Sequence, residues 1–377
     1  MELHIGVIGA GGFAGFAIKA FLKVPGIKVA AVMDINRMAA VQMGAELGLK
    51  VYDEFEQLLG NNNINLIYIA TPPYLHYAQS MKALLAGKHV ICEKPAALKT
   101  SEAEELVALA RSRKLLYIVN LMQRYNPLYQ TVKTIVQENI LGNFLHGYFE
   151  NYASDQNLGL DHWFWDKTKS GGIFIEHGVH FFDLFAGWLG EGKIVGAWHL
   201  LRPHLKEPII DRVQATVLYN GGLVNFYHGF DQPEILDRQE MRLLFERGEI
   251  TLYGWVPVKM KLHGLLYKGQ LENLQELMGS CSIVHHNHND QDPAGHKVKG
   301  RFVEVIFEDH ITIKYENNLG KQNLYCQMLT AMITDQWNWI RDHNHVRVID
   351  GKNAVLSTRM AEDATRIAQK IEYQERN

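Results

Sequence analysis

The run Ile5-Gly6-Val7-Ile8-Gly9-Ala10-Gly11-Gly12-Phe13-Ala14 decides how the first third of the chain folds. A short apolar strand pattern, Ile5–Ile8, breaks on glycines and passes directly into the helical pattern Ala14–Leu22. In this strand–turn–helix setting a G-x-G-x-x-G/A spacing carries chemical meaning. Gly9 permits the tight turn, Gly11 lets the backbone approach a pyrophosphate, and Ala14 allows helix and strand to pack closely. The N–H groups around Gly12 and Phe13, at the helix start, are left unpaired and favour an anion.

Working outward, strand-like runs recur at Val29–Met33, Leu66–Ala70, His89–Cys92 and Leu116–Val119. Amphipathic helical stretches, Met38–Leu47, Leu75–Leu85 and Ser101–Arg111, alternate with them. Strands separated by helices imply βαβ units and a doubly wound parallel sheet of the Rossmann type, spanning residues 1–123. Asp34 ends the second strand 20 residues after Ala14, where a carboxylate accepts hydrogen bonds from both ribose hydroxyls of an adenosine. That charge repels a 2′-phosphate, which favours NAD over NADP, while nearby Arg37 leaves NADP possible. Ala70-Thr71-Pro72-Pro73 closes the next strand at the ligand-binding end of such a sheet, so Thr71 and Pro72 are expected to contact the cofactor. His76 is either a further contact or an ordinary first-turn helix residue. The structural alternative for Gly9–Ala14 and Asp34 is a plain turn followed by a helix N-cap.

The composition narrows the function classes. With 377 residues, 47% hydrophobic and 21% charged, the chain can build two globular cores. A net charge of −3 calls for neither nucleic acid nor an anionic membrane surface. Three scattered cysteines, Cys92, Cys281 and Cys326, argue against a disulfide framework and for a reducing compartment. No signal-peptide pattern or membrane-length apolar run is read, so the expected location is cytoplasmic.

After Pro127 the rhythm changes. A helical stretch, Leu128–Glu138, and a strand pattern, Phe144–Tyr152, lead through a Trp-rich loop to a helical pattern around His180. Strand patterns follow at Val195–Leu201, Val213–Tyr219, Leu223–Gly229, Glu240–Glu246, Glu249–Tyr253, Val256–Leu262, Phe302–Phe307 and Ile311–Tyr315. Asn220-Gly221-Gly222 and Arg247-Gly248 are turn signals between neighbours, so this sheet should be mostly antiparallel. Helices are expected at Leu324–Arg341 and Asn353–Ile371. The fold class is thus α/β: a parallel Rossmann domain, then an α+β domain, 124–377, with a large, mostly antiparallel open sheet. The polar stretch Gly279–Gly300 reads as a surface loop, with His285, His286 and His288 as exposed loop residues, the alternative being adventitious metal binding.

Gly87-Lys88-His89-Val90-Ile91-Cys92-Glu93-Lys94-Pro95 resembles the signature of the Gfo/Idh/MocA oxidoreductases, which include glucose–fructose oxidoreductase and inositol dehydrogenase. Ala70-Thr71-Pro72-Pro73, His76 and Arg124-Tyr125-Asn126-Pro127 match the same pattern, and Gly171–Asp183 resembles its substrate-domain motif. The resemblance implies that Glu93-Lys94-Pro95 lies beside the nicotinamide, with Lys94 reaching the substrate oxygen and a cis peptide before Pro95. It implies that His180 is the acid/base, assisted by residue 176, and that the open sheet makes a homodimer or homotetramer. Glu176 stands where the family usually has Asp, and His177 beside it is also unusual.

Read from the residues, hydride transfer needs a proton acceptor and a donor for charge on oxygen. Lys94 suits the second role and His180, with an ordinary pKa near neutrality, the first. Glu176, four residues before His180, would orient and stabilise its ring if both lie on one helix face. Structural alternatives stand beside each role: a surface ion pair for Lys94, a packed helix residue for His180, a helix cap for Glu176. Trp163 and Trp165 in His162-Trp163-Phe164-Trp165-Asp166 can wall a sugar pocket or pack in a core. Arg124 and His177 are further substrate-contact candidates, with Asp155 and Asp161 behind them. A metal site on Glu176, His177 and His180 lacks an evident completing ligand, so no metal is expected. The expectation is an NAD-dependent oxidoreductase acting on a secondary alcohol or ketone of a carbohydrate-like substrate. The alternatives are a lyase or hydrolase with transient oxidation, and a non-catalytic nucleotide-binding regulator.

Overall fold

The structure is a computed structural model that describes residues 2–202, 209–288, 295–300 and 304–370. The first sheet is formed by β1 (Leu3–Ile8), β2 (Ile27–Met33), β3 (Lys50–Tyr52), β4 (Leu66–Ile69), β5 (His89–Cys92) and β6 (Tyr117–Val119). Its strands are all parallel, in the order β3-β2-β1-β4-β5-β6. The helices that return the chain are α1 (Gly12–Phe21), α2 (Arg37–Leu47), α3 (Phe55–Leu59), α4 (His76–Leu85) and α5 (Thr100–Ser112). Strands β4 and β6 are buried along their whole length, as expected of a sheet covered on both faces. The expected cis peptide is present at Lys94–Pro95.

Helix α6 (Pro127–Gln137) opens the second half, with Pro127 at its first position and the Asn126 side chain accepting from Leu128 N–H at 2.9 Å. Strand β7 (Phe144–Tyr152), the short α7 (Lys167–Ser170) and α8 (Val179–Leu189) come next. The large sheet adds β8 (Lys193–Leu201), β9 (Ile210–Tyr219), β10 (Gly222–Gly229), β11 (Arg238–Phe245), β12 (Gly248–Tyr253) and β13 (Lys259–Leu266). After α9 (Gln270–Met278) come β14 (Ser282–His285), β15 (His296–Lys299), β16 (Glu304–Phe307) and β17 (Asp309–Glu316). The chain closes with α10 (Gly320–Arg341), α11 (Gly351–Ile367) and β18 (Gln369–Lys370). The ten-stranded order is β14-β17-β13-β12-β11-β7-β10-β9-β8-β18, and only the β7–β10 and β8–β18 pairings are parallel. Period-2 burial along β9 and β13 puts one face on the core and leaves the other open.

Three sequence expectations need correction. The strand expected at Val256–Leu262 begins at Lys259, because Gly254 turns at φ +89° and Pro257 has no N–H for the ladder. The expected loop Gly279–Gly300 carries β14 and β15 and is not a plain surface loop. Helix Asn353–Ile371 is shorter at its end, closing at Ile367, with residue 371 outside the described residues, as are 302 and 303 of the strand expected at Phe302–Phe307.

Two apolar cores result. The first joins the parallel sheet to α10, through Leu324, Met328, Leu329, Met332, Ile333 and Trp337, so a late helix closes the N-terminal core. The second packs α6, α8 and α11 on the inner face of the large sheet, where Phe149 stacks on Phe181. Among the described residues no helix is long and apolar enough to cross a membrane.

Candidate active site between the two cores

A cavity of 1690 Å³ runs from the Gly9–Ala14 turn to the aromatic loop around Trp163. It lies outside the carboxyl ends of β1, β2, β4, β5 and β6, where ligands bind to doubly wound sheets. At one end, Gly9 sits at φ +101°, and a Cβ there would come within 2.4 Å of the Ala70 carbonyl oxygen. Only glycine fits. A Cβ on Gly11 or Gly12 would meet nothing within 4 Å, so the space above the α1 start is open. No side chain caps α1, and its first N–H groups stay free for an anion. This cradle fits a dinucleotide pyrophosphate.

Asp34 lines the same end. Its Oδ2 accepts from Ala10 N–H at 2.6 Å and its Oδ1 from Asn36 N–H at 2.7 Å. These bonds fix the carboxylate against the glycine turn, and the cap of α2 is Asn36, not Asp34. Arg37 also lines the cavity, but its Nε pairs with Asp53 at 2.6 Å in an exposed contact. Thr71 and Pro72 line the middle, where Thr71 Oγ1 donates to Gln79 Oε1 at 2.6 Å.

His76 is not a cavity residue. It is fully buried, with Nδ1 2.7 Å from the Pro95 carbonyl and Nε2 2.7 Å from the Thr71 carbonyl. It straps two cavity-edge loops together from behind.

Glu93 and Lys94 follow β5. Glu93 turns inward: its Oε1 accepts from Tyr68 at 2.5 Å and from Asn120 Nδ2 at 2.8 Å, and burial pushes its carboxyl pKa up. Lys94 projects toward the second core. Its Nζ donates to the Glu176 carbonyl at 2.9 Å and pairs with Glu176 Oε1.

Glu176 lies in a wide π-type turn, Phe174–Gly178, that leads into α8. Sequence spacing alone pointed its carboxylate at His180. The carboxylate instead takes the cationic partner, because a charge pair in a nearly dry site outweighs a hydrogen bond to a neutral ring.

His180 lines the cavity near Lys94, its ring 5.4 Å from that of Trp255, and its Nδ1 has no hydrogen-bond partner. Burial, then the charge of Lys94, push its pKa well below the ordinary imidazole value. The expectation of a near-neutral value is therefore corrected. His177 contacts His228 through their Nδ1 atoms at 2.9 Å, a bond only one can donate. Burial holds His177 down to about 3 and His228 well down too.

Trp163 and Trp165 both wall the cavity, and Trp165 Nε1 is buried without a partner. Arg124 is elsewhere. Its guanidinium grips Asp183 through three hydrogen bonds, Nε to Oδ2 at 2.7 Å, NH2 to Oδ1 at 2.8 Å and NH2 to the backbone carbonyl at 2.9 Å, with Asp183 1% exposed. Neither lines the cavity, so the expected substrate contact by Arg124 is corrected. Their pairing bolts α8 to the 122–125 turn. Asp155 does line the cavity, though its Oδ2 is held by Arg202 at 2.8 Å; Asp161 does not.

Sequence reasoning missed several cavity residues: Asn120, Asn151, Trp255, Lys321 and Tyr325. Asn120 ends β6 and could have been found from the carboxyl-end rule. Trp255 and Tyr325 come from a turn and a late helix, and no local pattern marks them.

Comparison with known proteins agrees with this geometry. Residues 3–121 match the oxidoreductase family with an NAD-binding Rossmann fold, and residues 129–251 match the GFO/IDH/MocA C-terminal domain. An uncharacterized oxidoreductase of Synechocystis is 32% identical over 149 residues, covering 39% of this chain and 40% of that protein. The matched part thus spans less than half of that relative. Levoglucosan dehydrogenase of Pseudarthrobacter phenanthrenivorans is 26% identical over 278 residues, covering 70% of this chain and 69% of that protein. The solved structure of KijD10, a 3-ketoreductase from Actinomadura kijaniata in complex with NADP and TDP-benzene, superposes with a TM-score of 0.74. The superposition covers 99% of this chain and 100% of that one at 18% identity, which speaks for the fold. A glycine cradle, a cis Lys94–Pro95 step and a cavity shared with the second core therefore accompany matches to both halves of one family: the chain is an NAD(P)-binding member of the Gfo/Idh/MocA oxidoreductases.

Proposed function

We propose that this enzyme moves a hydride between a nicotinamide cofactor and a secondary alcohol or ketone of a sugar, polyol or related carbohydrate. The observation that carries the reading is the convergence of Lys94, from the first sheet, and His180, from α8, on one cavity. When bound, the nicotinamide supplies the site that gives or takes the hydride.

The chain's own groups do the rest. Gly9, Gly11, Gly12, Phe13 and Ala14 hold the pyrophosphate, and Asp34 faces the adenosine ribose. Thr71, Pro72 and Glu93 shape the nicotinamide end. Lys94 donates to the substrate oxygen and stabilises negative charge there, while Glu176 sets where the ammonium points. His180 stays neutral through the physiological range, so it can take the hydroxyl proton without first losing one. In the reverse direction the same depressed pKa makes its protonated form a strong acid toward the oxygen. Trp163 and Trp165 cover the apolar C–H faces of a sugar, and His177 closes the wall. Asp34, pinned by two backbone N–H groups, favours NAD over NADP.

A cytoplasmic homodimer or homotetramer completes the reading. The open face of the large sheet supports it, since Val195, Leu218, Leu223, Leu244 and Tyr253 are exposed there. Screening sugars and polyols with NAD and NADP, following reduced cofactor by absorbance, tests the function. Sedimentation tests the assembly. Cofactor binding with no turnover of any polyhydroxylated substrate would overturn the proposed reaction.

A further inference from the structure

Far from the active-site cavity, the large sheet brings four histidines together on its open face. His263 lies on β13, His310 on β17, and His286 just after β14, whose backbone N–H donates to the His310 carbonyl at 2.8 Å. In the strand order these are three consecutive neighbours at the sheet edge. Among the described residues, His263, His286 and His310 form a group whose potential ligand nitrogens all lie within 4.8 Å of one another.

The hydrogen bonds around the group sort its nitrogens. His263 Nδ1 and His286 Nε2 each stand 2.9 Å from Thr312 Oγ1, the cross-strand partner of His263. A hydroxyl oxygen can accept from both rings. His310 Nδ1 stands 2.7 Å from His288 Nε2. With these outer nitrogens carrying the protons, His263 Nε2, His286 Nδ1 and His310 Nε2 are left with lone pairs. Two of them, His263 Nε2 and His310 Nε2, are 3.4 Å apart. That is long for an N–H···N hydrogen bond. It is the edge length, about 3.4 Å, of a tetrahedron whose zinc–nitrogen bonds are about 2.0–2.1 Å.

We propose that His263, His286 and His310 form a zinc site, with Thr312 and His288 orienting the ligand rings and water taking the fourth position. Each ligand's other ring nitrogen already has a hydrogen-bond partner, the arrangement that fixes tautomer and ring angle in zinc–histidine sites. The ligands are half-buried, leaving access for an ion and its water. The bound ion would staple the four-residue edge strand β14 to β17 and β13. Nothing in the active-site cavity is involved, so the site serves architecture and not the hydride chemistry.

The test strips the full chain with a chelator and titrates zinc back, with metal content measured after dialysis. Expected is about one zinc per chain, a higher thermal midpoint with zinc, and tetrahedral d–d absorption on cobalt substitution. His310→Ala and His263→Gln should abolish all three signals while nicotinamide cofactor binding persists, which shows the variants are folded. Thr312→Val should weaken zinc binding roughly 10- to 100-fold. His285→Ala should leave it intact. Absence of saturable zinc binding in the natural chain would overturn the site, and so would equal binding in the His263→Gln, His310→Ala double variant.

Discussion

The carboxylate of Glu176 meets the ammonium of Lys94 and leaves Nδ1 of His180 without a partner. Lys94 also donates to the Glu176 backbone carbonyl at 2.9 Å, so two bonds from one residue aim the amine across the boundary between the cores. Glu176 is therefore a positioning residue for Lys94. Glu176→Gln keeps the backbone bond and removes the charge. Its kcat should fall about 10- to 100-fold, roughly 1.4–2.7 kcal/mol of barrier, with cofactor affinity nearly unchanged. Steady-state kinetics beside a fluorescence titration with reduced cofactor checks it. Equal activity in the variant would separate Glu176 from the chemistry.

Lys94→Met removes the proposed donor to the substrate oxygen while keeping a side chain of similar reach. Turnover should drop by about 10³-fold or more, and NAD should still bind. Single-turnover absorbance measurements separate the two effects. A variant that loses cofactor binding and activity together would show that Lys94 holds the cofactor instead.

The imidazoles of His177, His180 and His228 are buried and held neutral. Their folded values lie below the ordinary 6.5, so an unfolded chain takes up protons that the folded one refuses. Their neutral burial therefore carries no protonation cost above about pH 6.5, and stability is lost as the pH falls below that, for His177 down to about 3. The slope is roughly 1.4 kcal/mol per pH unit for each ring. Urea melts between pH 7 and 4 check this, on about that scale, and His228→Asn should flatten the slope.

Arg124 and Asp183 form a buried pair that does not touch the cavity. Arg124→Ala leaves an unpaired carboxylate and should destabilise the fold by about 3–5 kcal/mol. Activity per folded molecule should change little. Thermal melts and active-site titration together test this, and a changed KM with an unchanged melting point would restore Arg124 as a substrate contact.

Asp34→Ala removes the negative charge proposed to face the adenosine ribose. NADP affinity should rise relative to NAD by about tenfold, with NAD weakened, because the charge that repels a 2′-phosphate is gone. Paired Kd measurements with both cofactors read the ratio.

The glycine turn, Asp34 and the Glu93-Lys94-Pro95 step were legible because their meaning is local. A backbone that must turn at φ +101° needs glycine whatever lies around it, and strand–helix alternation dictates a parallel sheet. Of the two readings of His76, the first-turn helix residue is the one found, whereas Arg124 and Glu176 were misdirected because their partners lie 59 and 82 positions away, and charge and burial choose among them. His263, His286, His288 and His310 tell the same story: three sit near or within a polar stretch, but only strand register brings them onto one face. Alone, the order of residues determined the Rossmann half and its cofactor turn, and singled out the amine and imidazole proposed for the chemistry. Tertiary packing decided which carboxylate serves the amine and that the imidazole is neutral, because the water excluded between two cores sets the worth of a charge.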